Sequence, residues 1–161
     1  MHPSRVVFHG IAAGLISGIA FSAAESFVAI LHGNTWDAPV RMVAAVAMGP
    51  SALGSDRSLA GVLVWGMGLH LLYTIGTGIL LAALIAGVDS LRRSSRAAVS
   101  AALLYALALW LSGFYVVAPL LGWEWFPERT RFLPQLALQV GVWGGSLAAY
   151  FAPRRVRLAL A

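Results

Sequence analysis

Four stretches of this chain run for 20 residues or more with a single charged side chain among them, and that pattern limits the fold more than anything else in the sequence. They cover roughly 6–31, 59–88, 97–121 and 132–152, and the one charge is Glu25. A helix needs about 20 mostly apolar residues to cross the hydrocarbon core of a bilayer. In lipid every backbone polar group must be paired within the protein, which leaves only helices and closed barrels. The expected fold class is therefore an all-α integral membrane protein: one domain over 1–161, a four-transmembrane-helix bundle. Composition agrees. Charged residues make up 11% of the chain, against about 25% in soluble domains, too few to cover a soluble surface. Most soluble enzymes and intrinsic disorder are thereby excluded.

The first stretch resembles a signal peptide, with Arg5, an apolar run and small residues at Ser22-Ala23-Ala24. Its apolar part is long for a leader, so it reads as a retained helix.

Charge sets the expected topology. All 11 basic residues are Arg. Arg5, Arg92, Arg93, Arg96, Arg154, Arg155 and Arg157 fall on one side with Asp89. Arg41, Arg57, Arg129 and Arg131 fall on the other with Asp37, Asp56, Glu124 and Glu128. The positive-inside rule puts both termini and the second loop in the cytoplasm, and the first and third loops outside. The net charge of +5 does not point to nucleic acid, because the arginines sit at the edges of apolar segments. The absence of cysteine excludes disulfides, thiolate metal sites and iron–sulfur clusters.

The first outer loop is long, and 37–48 reads as a short helix. Asp37 is placed to cap it, Pro39 falls in its first turn, and Gly49-Pro50 ends it. It is too short to span, so an interfacial or re-entrant helix is expected. The third loop, Gly122-Trp123-Glu124-Trp125-Phe126-Pro127-Glu128, has the aromatic character of a membrane interface.

Helix 1 carries Gly10, Gly14, Gly18 and Ser22 at intervals of four residues. Small residues so spaced let two backbones approach closely in lipid. A seam inside this chain is expected, with a seam to another chain as the alternative. The other helices carry further glycines at 61, 66, 68, 76, 78, 141, 144 and 145, so the bundle should be tightly packed and without a wide pore.

Several polar residues lie at membrane depth. At 100° per residue Glu25 falls on the face of Gly18 and Ser22, about 10 Å below the outer end. His70, Tyr73, Ser112, Tyr115, Gln135 and Gln139 lie at similar depth on small or polar faces. They are expected to form one intramembrane polar cluster, with Glu25 and His70 facing each other. An ionisable residue within a membrane span suggests function. The alternative is interhelical hydrogen bonding that fixes packing.

Metal binding would need three or four ligands. Glu25, His32 and His70 offer three, but no metal-site spacing accompanies them, and no metal is expected. His70 could also serve as an axial haem ligand; no cofactor is assigned. The sequence holds no nucleophile elbow, Walker loop or aspartyl pair, and a non-enzymatic role is expected.

The order of these features resembles the small four-helix bacterial inner-membrane proteins of the YagU and YqhR type. The resemblance rests on Ala23-Ala24-Glu25-Ser26, Ala38-Pro39-Val40-Arg41-Met42, Gly68-Leu69-His70 and the aromatic-acidic loop 123–128. It implies a multi-pass protein of the bacterial inner membrane and no particular reaction. Three functions follow as expectations. The first is an accessory or stabilising subunit of a bacterial membrane complex, partnered by other membrane subunits or by copies of itself. The second is a small proton- or solute-linked transporter using Glu25 and His70. The third is a haem- or quinone-binding electron-transfer subunit.

Overall fold

A computed structural model of the chain describes residues 2–123, 125–128 and 130–160. Glu124 and Arg129, counted above toward the outer charge, lie outside the described residues, as does the side chain of Glu128. The protein is all-helical, with no strand among the described residues. Three helices are long and apolar enough to cross a membrane: α1 (Pro3–Leu31), α3 (Leu59–Gly87) and α4 (Ser95–Leu120). Between the first two lies α2 (Ala38–Met48). The last apolar stretch, 132–151, is helical throughout and is called α5, with a π-helical segment at Leu138–Gly144.

Glycine dictates how α1 meets α3. A Cβ on Gly10 would lie 2.4 Å from the Cα of Ile79, and one on Gly14 would lie 2.2 Å from the Thr74 carbonyl oxygen. From the other side, a Cβ on Gly78 would lie 2.4 Å from the Gly10 carbonyl oxygen. Rising residue numbers on α1 meet falling numbers on α3, so the pair is antiparallel and in backbone contact. The small-residue stripe of α1 thus forms a seam within the chain, the arrangement such stripes favour in lipid.

α2 lies across the N-terminal part of α3. A Cβ on Gly66 would lie 2.4 Å from the Val40 carbonyl oxygen, so this second close approach also needs glycine. Gly49 ends α2 at φ 76°, a left-handed conformation that glycine adopts without strain. Asp37 holds the position before the helix, but its side chain makes no capping bond. It pairs instead with Arg41 Nε at 2.7 Å, one turn along. Arg41 also donates to the Gly54 carbonyl at 2.7 Å, folding the loop back on α2. The ion pair and the loop carbonyl together displace the expected cap.

On α4, Ala98, Ala102 and Ala106 are fully buried at four-residue spacing. They face α5, where a Cβ on Gly144 would lie 2.7 Å from the Cβ of Ala106. Leu81, Ile85, Trp143, Leu147 and Phe151 fill the core between these helices and the α1–α3 pair. Tyr105 donates to the Thr77 carbonyl at 2.9 Å and ties α4 to α3. At the end holding the chain's N-terminal residues, His9 Nδ1 lies 2.9 Å from the Tyr150 hydroxyl.

Candidate functional site

The α1–α3 seam opens beyond Gly18. Side chains larger than glycine appear there on both helices, at Ser22 and Glu25 on α1 and His70 and Met67 on α3. The gap they leave is roofed by Pro39, Val40 and Val43 of α2. The resulting crevice has a volume of about 10 Å³, room for about one water molecule.

His70 crosses the seam. Its Nε2 lies 3.1 Å from the Gly18 carbonyl oxygen and 2.9 Å from Ser22 Oγ. A carbonyl can only accept, so Nε2 carries the proton and Nδ1 is the imidazole's acceptor. The ring stacks on Phe21 with centroids 6.4 Å apart and planes 6° apart. These contacts fix the ring's orientation as well as its tautomer.

Glu25 pairs elsewhere. Its Oε1 accepts a 2.9 Å hydrogen bond from Gln135 Nε2, which joins α1 to the first turns of α5. Glu25 and His70 line the same crevice without forming an ion pair. The carboxyl therefore binds a neutral amide. That bond does not depend on charge, because a carboxyl keeps an acceptor oxygen whether or not it carries a proton.

The other residues of the expected cluster are dispersed. Ser112 turns back and donates to its own helix at Leu109 (3.0 Å). Tyr115 is 59% exposed and meets Trp110 edge-on. Tyr73 is half-exposed, its ring beside Trp143. Gln139 is buried in the π segment of α5. Of the expected layer, the hydrogen bonds and the crevice thus join Glu25, His70 and Gln135, together with Ser22; among the described residues no hydrogen bond links Tyr73, Ser112, Tyr115 or Gln139 to them. The physical reason lies partly in helix geometry. π-helical turns occupy Gly113–Val117 in α4 and Leu138–Gly144 in α5, and each shifts the faces beyond it away from the regular 100° step. A serine can also satisfy its hydroxyl on its own helix, which leaves it free to face anywhere.

Ser22 is the residue that sequence reasoning undervalued. In the sequence it reads only as a small member of the glycine stripe, yet its hydroxyl is a partner of His70. Its position one turn before Glu25 was the available signal. His32 does not join the group, since its ring bonds the Val28 carbonyl at 2.8 Å on the exposed end of α1. Among the described residues no three metal-ligating side chains come together. Just before α2, a hydrogen bond from Thr35 and the Arg41 guanidinium hold the Asp37 carboxyl below the usual carboxylate range.

Comparison with protein-family models, curated proteins and solved structures finds no match for this chain.

Proposed function

We propose that this chain is a non-enzymatic integral membrane protein that handles protons at Glu25. One observation carries the reading. A carboxyl in a membrane helix is bonded to a neutral amide and opens on a crevice that admits about one water. A structural carboxylate in lipid is expected to be matched by a cation, since an uncompensated charge there is costly. The Glu25–Gln135 bond tolerates loss or gain of a proton, and the crevice has room for about one water beside the carboxyl to exchange it with. His70 stands across the crevice with Nδ1 available to accept. The small crevice volume favours a proton over a larger solute, since it has room for about one water.

In this reading α5 is a fourth span, α2 lies at the outer interface, and both termini are cytoplasmic. The resemblance to the YagU and YqhR type supports a bacterial inner-membrane location. The test is decay of a pH gradient in liposomes containing a pH-sensitive dye. Wild-type protein should speed the decay, and Glu25→Gln should return it to the rate of empty liposomes. Equal rates for the wild type and Glu25→Gln would overturn the reading.

A second reading, an accessory subunit of a membrane complex, is favoured by the outward face of α3. Val64, Trp65, Gly68, Leu69 and Leu72 surround an apolar hollow of about 240 Å³, and a Cβ on Gly68 would meet nothing within 4 Å. Close approach of a partner helix at such a glycine is the membrane norm. Blue-native migration at the mass of a larger complex, lost in Gly68→Trp, would support it. Migration of both proteins as the single chain would exclude it.

A further inference from the structure

The end of the molecule opposite the Glu25 crevice gathers arginines from two distant parts of the chain. The short helix Asp89–Arg93 follows α3, and the short helix Arg154–Ala159 follows α5. Arg157 clips them together. It is 2% exposed, an unusual burial for a guanidinium, and all its described partners are backbone carbonyls. Its Nε donates to Arg92 at 3.1 Å. Its Nη1 donates to Phe151 at 3.0 Å and to Ala152. The last two are carbonyls at the end of α5, where Pro153 stops the helix and leaves acceptors unpaired. Ser95 adds a further bond to Ala152 at 2.9 Å. Arg157 is thus a strut that sets one arginine run beside the other.

The arginines around this strut are differently placed. Arg93, Arg96, Arg154 and Arg155 are exposed. Asp89 is the one acid nearby; it pairs with Arg92 and approaches Arg93 only to 3.8 Å. The surface therefore carries several more positive charges than negative ones. Beside it the helices are apolar and open: Phe8 is 66% exposed, Leu158 48% and Leu84 44%. A partner that fits both features carries a negative head and a hydrocarbon body.

We propose that Arg92, Arg93, Arg96, Arg154 and Arg155 form a binding site for anionic phospholipid headgroups, held in shape by Arg157. Guanidinium groups suit phosphate because their planar N–H fork can bind two of its oxygens at once. The site needs no assumption about Glu25 and stands independently of the proton-handling reading.

The test is native mass spectrometry of the full chain released from vesicles of equal parts phosphatidylglycerol and phosphatidylcholine. Bound phosphatidylglycerol should predominate on the wild type. The double variants Arg154→Gln/Arg155→Gln and Arg92→Gln/Arg93→Gln should each lower its affinity by roughly thirtyfold, two arginines at the strength usual beside an anionic surface. Melting in pure phosphatidylcholine should be unchanged for the first variant, showing that the fold is intact. Equal retention of the two lipids would overturn the proposal, as would unchanged phosphatidylglycerol binding in both double variants. A third arm adds inorganic phosphate to protein in neutral detergent. Stabilisation matching that from phosphatidylglycerol would show a site for free phosphate and would also refute the lipid assignment.

Discussion

Replacing Gly14 with alanine adds one methyl group where α1 and α3 touch. The added carbon would lie 2.2 Å from the Thr74 carbonyl oxygen, 2.8 Å from its carbon and 3.0 Å from the Cα of Ile75. Ordinary non-bonded contact needs about 3.5–4.0 Å, so the helices must part by roughly an ångström. No rotamer change can relieve the clash, because the opposing atoms are backbone. Nor can α1 tilt away freely, since Gly10 and Gly78 hold it in the same seam. Overpacking of this kind costs about 1–3 kcal/mol. Alanine's better helix propensity returns at most about 1 kcal/mol. Because the opposing atoms are backbone, the upper part of the overpacking range applies, about 2–3 kcal/mol; less the propensity gain, the net loss should be about 1–2 kcal/mol, which lowers the melting temperature by about 2–8 °C in a chain of this length. Gly68→Ala is the matched control. The same methyl there meets nothing within 4 Å, so only the propensity gain remains and the protein should melt at the same temperature or higher. Both are measured by fluorescence-detected melting in one mild detergent. If Gly14→Ala and Gly68→Ala move the melting temperature alike, the seam does not hold the bundle together and the packing argument fails.

Other consequences concern the site and the loops. In double-mutant cycles, Glu25→Leu with Gln135→Leu should show coupling of about 0.6–1.7 kcal/mol, the range for interhelical hydrogen bonds in membranes; a coupling no larger than that of Glu25→Leu with His70→Asn would contradict the pairing. Asp37, with its acid form disfavoured in the folded loop, stabilises the fold above its unfolded value of about 4, and this contribution disappears as pH falls through the lower folded value. The melting difference between wild type and Asp37→Asn should accordingly be largest near neutral pH and close in acid; a gap that widens in acid would refute it. Cysteine introduced at Ser55 should react with an impermeant thiol reagent from outside the cell, and cysteine at Ser90 should not. The reverse pattern would invert the topology.

The helices were legible in the sequence because their signals are local. Long apolar runs with at most one charge mark α1, α3 and α4, Pro39 and Gly49 bracket α2, and the glycine spacing of α1 announced its seam. The alanine ladder of α4 carried the same kind of message at Ala98, Ala102 and Ala106, in residues too common to stand out. The arrangement of the site was less legible, because helical phase accumulates error. Glu25, Ser22 and His70 lie in uninterrupted α-helix, and extrapolation at a constant angle brought all three to the seam. Tyr115 and Gln139 lie within π-helical turns, which no feature of their sequence marks. The pairing of Glu25 with Gln135 also depends on how α5 enters the bundle, a tertiary arrangement that no local signal carries.

Infrared difference spectroscopy of the protein in lipid, titrated from acid to alkaline pH, tests most directly whether Glu25 exchanges a proton in the folded state. Wild-type protein should show a carboxylic-acid C=O band that vanishes reversibly as pH rises. The band should be missing in Glu25→Gln and shifted in frequency in Gln135→Leu, where the carboxyl loses its amide partner. Identical sets of carboxylic-acid bands in wild type and Glu25→Gln, whose five other carboxyls are the same, or a Glu25 carboxyl that keeps one protonation state across the titration, would contradict the account.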